Sequence, residues 1–416
     1  MKKISIIAFL LLTTCITHAQ ALQAVSIDSC YTWAKQAYPL IRQKGLIEKT
    51  RDFTVENAAK GYLPQINVTG QATYQSDVVS FPLPGAPVLS KDQYKIGLEI
   101  NQSIYDGGQI RNNKETQRLN ANIQDQSLEV NLYTVRDRVN QLYFGILLID
   151  EQARQNALRK SDIQNGLDKV NAAYANGTAY RSSVDELKAE IVAAEQTDVE
   201  LQSNKKAYVA MLALLTNKLL DTNTAFSVPA QPTSLAEINR LELKLYDAQK
   251  KIYDVQAQQL KTNLTPKLGA FAQGYYGRPT YNIVDNNFGL FGLVGVRLTW
   301  PLNGLYTNSN DKALLNINRQ NVDVQKETFL FNTNITLTQQ SAEAAKYQAL
   351  LTKDETIVDL RTSVKAAANA QLTNGVITSH DFITKVNDEN RARLNMAVHR
   401  IQLLQSEYNY KNTSGN

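Results

Sequence analysis

Reactive side chains are few in this chain, and their spacing serves no recognised chemistry. Beyond the leader, the imidazoles are His380 and His399, too few and too widely separated to complete a tetrahedral zinc set with Cys30. No glycine-rich loop ends in Lys-Ser or Lys-Thr, and no Gly-x-Ser-x-Gly elbow occurs. Carboxylates are plentiful, but they fall on helices of heptad rhythm, where such residues make solvated faces. No catalytic set, metal or cofactor is therefore expected. The residues whose types and spacing ask for an explanation are turn-formers. Asn176-Gly177 recurs as Asn374-Gly375, an offset of 198 residues, and each pair ends one long helical pattern and precedes another. Gly or Asn makes a left-handed helix cap at little cost.

The elements around these turns are duplicated as well. Gly97-Leu98-Glu99-Ile100 recurs as Gly295-Val296-Arg297-Leu298 at the same offset, and Pro64-Gln65-Ile66 recurs as Pro266-Lys267-Leu268 four residues off it. A repeat this long is a doubled domain half rather than a solenoid unit. Residues 1–19 read as a signal peptide: Lys2-Lys3, a short apolar run, then small residues up to Ala19. Thr14 fits poorly before a lipidated Cys15. Residues 20–225 form the first repeat, 226–234 a linker with Pro229 and Pro232, and 235–416 the second repeat.

Composition narrows the class. The formal net charge of +5 falls to +3 once Lys2 and Lys3 leave, and both signs are mixed along the helices. Nucleic acid asks for a concentrated basic face, so it is not an expected partner. One cysteine, Cys30, remains after the leader, so no intramolecular disulfide is available in an oxidising destination. No later stretch is long and apolar enough for a membrane helix. A β-barrel span stays open, because alternation leaves hydropathy unremarkable.

Each repeat reads as helix, two strands and a long helical hairpin. Ile27 to Lys60 is helical with an interruption near Pro39. From Pro64, Ile66, Val68, Gly70, Ala72 and Tyr74 alternate with polar residues, a strand with one apolar face and the length of a tilted membrane strand. After a turn-rich segment at 81–87, a second strand covers about Tyr94 to Ile104, with Ile96, Leu98 and Ile100 opposite Lys95, Glu99 and Asn101. The second repeat supplies strands near Pro266 to Tyr276 and up to Trp300. Tyrosines near the strand ends suit an interfacial girdle, though aromatics also favour any soluble sheet.

Helices follow, from about Gln109 to Tyr174 and Tyr180 to Leu215, then Thr307 to Leu372 and Ser379 to Tyr410. Leu128, Leu132, Val135, Val139, Leu142, Ile146 and Ile149 keep the four-three spacing of a left-handed coiled coil. The first of these helices reaches about 100 Å. Asp198 and Lys205 interrupt the returning seam, as if it bordered water there. Four strands cannot close a pore alone, and lipid tolerates no open sheet edge. A trimer supplies twelve strands and an aqueous lumen.

These parts resemble the TolC-like outer membrane efflux proteins. The resemblance spans nearly the whole mature chain: leader, Pro-initiated strands, Tyr105-Asp106-Gly107-Gly108 and Trp300-Pro301-Leu302-Asn303-Gly304 junctions, and the duplicated Gly-centred hairpins. It implies a mainly α-helical homotrimer with a shared 12-stranded β-barrel in the outer membrane and an α-helical tunnel in the periplasm. It further implies a passive exit duct of a tripartite efflux or type I secretion system, with a periplasmic adaptor and an inner-membrane pump as partners. By the same resemblance Asn176, Gly177, Thr178, Asn374, Gly375 and Val376 are adaptor-docking tips. Asp381 stands where the family places a carboxylate near the periplasmic entrance, and its repeat mate is Ser183. An acid in a first helical turn is equally what the macrodipole favours. Members that lock the entrance carry a Tyr and an Arg where this chain has Leu372 and Ile377, so that lock is not implied. The competing class is a soluble periplasmic coiled-coil adaptor or structural protein with a small sheet.

Overall fold

The computed structural model describes residues 24–79, 84–85, 89–232, 237–282 and 284–416. The leader expected over 1–19 and parts of the expected turn at 81–87 and linker at 226–234 lie outside the described residues. The element order is α1 (Ile27–Ala37), α2 (Gln43–Ala59), β1 (Gln65–Tyr74), β2 (Asp92–Tyr105), α3 (Gln109–Tyr133), α4 (Val135–Ala175) and α5 (Arg181–Thr216), then α6 (Leu241–Asn263), β3 (Lys267–Arg278), β4 (Gly289–Thr299), α7 (Gly304–Thr373) and α8 (Ser379–Ser414). Pro39 opens a 3-10 turn between α1 and α2, as its missing N–H and fixed φ require. The helix expected as one piece from Gln109 is two, divided at the single residue Thr134, whose φ of −63° and ψ of −18° stay right-handed. Its hydroxyl donates to the Asn131 carbonyl at 2.8 Å, a local bond that competes with the helical ladder. The helix that opens the second repeat starts at Leu241.

The chain divides into two compact units, and each draws on both repeats. One takes the chain up to Ala37, Arg136–Thr233 and Glu343–Tyr408. Its core includes Tyr143 and Phe144 edge to face, with Tyr408 packed on Phe144. Tyr143 hydroxyl donates to the Val25 or Ser227 carbonyl, each 2.7 Å away. A second cluster joins Ile163, Leu167 and Val170 of α4, Val184 and Leu187 of α5, and Phe382, Ile383 and Val386 of α8. Phe382 fits because Gly166 has no side chain: a Cβ there would strike its ring. Cys30 is fully buried, and burial pushes its thiol up to about 12.

The other unit comprises Tyr38–Val135, Ser234–Ala342 and Asn409–Asn416. It holds one antiparallel sheet in the order β1-β2-β3-β4, beside α2, α3 and α6. Asn112 Nδ2 donates to Thr262 Oγ1 at 2.8 Å, tying α3 to α6. No helix among the described residues is long and apolar enough to cross a membrane.

Candidate functional site

The register fixes what each sheet face presents. Val68 pairs with Leu98, Leu98 with Gly274, and Gly274 with Gly292. One face therefore collects Ile66, Val68, Ile96, Leu98, Val294, Val296 and Leu298. It has no apolar cover: Val68 is 73% exposed, Val296 71% and Leu298 70%. The opposite face carries Asn67, Thr69, Gln71, Lys95, Glu99, Asn101, Gln273 and Arg297 by the same pairings. Among the described residues β1 and β4 have neighbours on one side only, which leaves two open edges running in opposite directions. Exposed apolar residues also recur along α7 at Leu314, Ile317, Val324 and Phe331, a heptad stripe without cover in this unit.

Two aromatic rings of β3 lie on the polar face where the neighbouring strand has glycine. Tyr275 stands against Gly97 of β2 and Phe271 against Gly295 of β4; a Cβ on either glycine would meet the ring. The Tyr275 hydroxyl donates to the Glu99 carboxylate, and the Lys95 ammonium sits 5.2 Å from the ring centroid. The Arg297 guanidinium lies 4.8 Å over the Phe271 ring.

Of the junction residues, Gly107 and Gly108 have φ of +71° and +92°, a conformation glycine adopts without the Cβ penalty. Asp106 caps the turn, with Oδ1 accepting from Gly108 N at 2.8 Å and Oδ2 from Ile110 N at 2.6 Å. The second junction is built otherwise. Trp300 Nε1 donates to the Leu264 carbonyl at 3.0 Å, Pro301 follows, and Gly304 opens α7 without positive φ.

The two hairpin turns match in detail. Gly177 N donates to Tyr174 O at 3.0 Å and Thr178 N to Ala173 O at 2.9 Å; Gly375 N donates to Leu372 O at 3.1 Å and Val376 N to Gln371 O at 2.9 Å. These are paired 5→2 and 6→1 caps, and both glycines are left-handed at φ +72° and +67°. Asn176 and Asn374 supply the last turn before each glycine. Ala179, Leu372 and Ile377 pack on the apolar cluster around Phe382, so Leu372 and Ile377 serve packing.

Beyond the turns the two helical hairpins differ. Asp381 Oδ2 accepts from the Thr378 hydroxyl at 2.7 Å and from Thr378 N at 3.2 Å, while Thr378 Oγ1 accepts from Asp381 N at 3.2 Å. The reciprocal pair is a capping box, and the Thr378 hydroxyl holds the Asp381 carboxyl below its usual range. Ser183, the repeat mate, makes no side-chain cap: Tyr180 precedes α5 and only Ser183 N bonds back, to Tyr180 O. Among the described residues no hydrogen bond joins Ser183 to Asp381. Glu186, one turn further, takes that place, accepting from Ser379 Oγ at 2.7 Å and facing His380 Nδ1 at 3.0 Å.

Sequence reasoning missed the polar links between helices. Lys365 of α7 reaches Asp162 of α4 at 2.8 Å and Glu389 of α8 at 3.2 Å. Burial pushes Glu389 up, yet hydrogen bonds from Arg393 and Lys365 outweigh it and leave the carboxyl below its usual range. Asp198 and Lys205, expected to border water, are partnered across the hairpin, by Asn156 Nδ2 at 2.6 Å and Asp150 at 2.6 Å. Only the break in the apolar seam hinted at these pairs.

Residues 34–218 match the family model described as outer membrane efflux protein. The chain is similar to the outer membrane efflux protein family over these residues. Its fold is similar to that of the channel CusC (TM-score 0.69, 12% identity, 94% of this chain and 92% of that one). It is also similar to VceC of Vibrio cholerae (0.66, 12%, 94% and 96%) and to the CmeC outer membrane channel of Campylobacter jejuni (0.64, 12%, 94% and 85%). No curated protein matches the sequence. The family match lies within the first repeat, and the second repeat is matched by fold alone, at identities too low to transfer a cargo. The chain is thus an outer membrane export channel, its strands the membrane part and its helices periplasmic.

Proposed function

We propose that three copies close one barrel of twelve strands, through which solutes leave passively after delivery by an inner-membrane pump and a periplasmic adaptor. The observation that carries the reading is the open sheet: four strands, two free edges and one uncovered apolar face. Hydrocarbon forbids unpaired backbone edges, so insertion requires closure. Because β1 and β4 run in opposite directions, β4 of one copy pairs antiparallel with β1 of the next, and the ring closes on itself. The apolar face then meets lipid and the polar face lines water. The exposed stripe on α7 gains a cover in the same step.

The duct performs no bond chemistry, and the energy for transport comes from its partners. The turns at Asn176–Thr178 and Asn374–Val376 dock the adaptor, while Ser183 and Asp381 border the entrance. The support is the matched pair of caps, which present two alike, exposed turns per chain and six per trimer. Fractionation with unheated electrophoresis tests the assembly: a heat-modifiable trimer in outer membranes is expected. Recovery as a monomer in the soluble periplasm would overturn the proposal and favour the coiled-coil adaptor class.

A further inference from the structure

The polar face of the sheet is not evenly charged. Among its described strand positions it holds three cations, Lys95, Lys267 and Arg297, and one carboxylate, Glu99. Glu99 and Lys95 share Tyr275, the first through its hydroxyl and the second over its ring, so they form one locally compensated group. Lys267 and Arg297 form another, next to the strand-to-helix junctions. Lys267 pairs with Thr299 and Arg297 with Gly269, which places the two cations two residues apart along the β3–β4 ladder.

Neither cation is neutralised there. Among the described residues, Arg297 contacts the Phe271 ring and pairs with no carboxylate, while the Lys267 ammonium donates to Gln109 Oε1 at 2.7 Å. The carboxylate of the first junction, Asp106, follows β2 and turns both oxygens to backbone N–H groups of that junction. The two cations wall a cleft of about 370 Å³ on this face, floored by Gly269 and bordered by Asn101 and Phe271. Aromatic backing leaves the guanidinium edge free to meet an oxyanion, while the ring offers apolar contact beside it.

We infer that the junction end of the lumen is an anion-selective girdle, favouring anionic amphiphilic solutes as cargo. This rests on the proposal that the polar face lines a lumen shared by three copies. Three pairs then give six cations around one aqueous passage, without a compensating carboxylate on the strands at that level. A passage walled by one sign of charge concentrates the opposite ion.

The test uses full-length channel in outer membrane vesicles with a single probe thiol, Thr299→Cys, on the same face. The buried Cys30 is silent in this assay. Labelling rates are compared for a negatively charged and a positively charged methanethiosulfonate reagent, each normalised to a free thiol. The expected anionic-to-cationic ratio exceeds one, on the order of tenfold at low salt. It should fall towards one in Arg297→Gln plus Lys267→Gln, and in about 1 M salt, where screening acts within roughly 3 Å. A ratio at or below one, or one unmoved by the double substitution, overturns the inference. If Thr299→Cys lowers trimer yield, Asn101→Cys reads the same level from β2. Failure of the underlying lumen reading looks different: Thr299→Cys then reacts with neither reagent while Leu298→Cys reacts with both.

Discussion

At the turn closing the first hairpin, Gly177 ends α4 with paired backbone bonds; 198 residues later Gly375 ends α7 with the same two bonds. The next few residues part company. Before α5 the chain passes Tyr180 with no side-chain cap, whereas Thr378 and Asp381 close a reciprocal box ahead of α8. The strands show a similar split. Leu98 and Val296 are repeat mates and both face away from the polar side, yet the next residues, Glu99 and Arg297, carry opposite charges. Duplication preserved what geometry demands, namely left-handed caps and the two-residue alternation. It released side chains that only decorate that geometry.

The largest effects should therefore come from what the repeats share. Leu98→Arg and Val296→Arg each place charge on the lipid side, costing about 2 to 4 kcal/mol at mid-depth. Both should reduce trimer in outer membranes, while Arg297→Gln leaves trimer yield unchanged, as unheated electrophoresis would show. Equal tolerance of all three would mean that the faces are exchanged.

Next in size are the turns. A valine at Gly177 or Gly375 must adopt a left-handed backbone at about 1 to 2 kcal/mol each. Nothing crowds the missing Cβ at either glycine, so strain is the whole effect. The double variant Gly177→Val plus Gly375→Val should still form trimer but lose adaptor crosslinking and export. Loss of export only together with loss of the trimer would reduce the turns to structural caps.

Smaller effects should come from what the repeats do not share. Thr378→Ala removes the cap of α8 and should cost about 1 kcal/mol. Tyr180→Ala, at the matching end of α5, breaks no cap hydrogen bond. Hydrogen exchange at the first turn of each helix would separate them: faster in α8, unchanged in α5. The smallest contrast concerns the junctions. Gly108→Ala forces alanine into positive φ at about 1 kcal/mol. Gly304→Ala meets only the end of the Leu264 side chain and should leave thermal stability near that of the parent. A Gly304→Ala as harmful as Gly108→Ala would show that the junctions are equivalent after all.

How much of this could be read beforehand follows the same division. Strand faces were legible because alternation is a property of the chain alone, and Ile66 to Tyr74 declares it residue by residue. The turns were legible because glycine after asparagine at a helical end has few other uses. The break at Thr134 was not, since the heptad pattern continues on both sides of it. Nor was the tie from Glu186 to Ser379 and His380, whose partners lie nearly two hundred residues apart and bear no spacing signature. Asp381 was legible as a residue, and its box with Thr378 accounts for its place in the first turn whatever it does at the entrance.

The two rings of β3 bear on how the barrel is put together. Tyr275 on Gly97 and Phe271 on Gly295 act as a tongue seated in a groove on either side of one strand. A one-residue slip would carry every side chain to the opposite face and press each ring against a Cβ. Both joints are internal to the chain, one of them between strands from different repeats. Each subunit can therefore settle the alignment of β2, β3 and β4 before it meets another. What remains for the encounter of chains is a single unsettled seam, β4 against the next β1, repeated three times. Errors of assembly should concentrate at that seam, which closes between chains rather than within one.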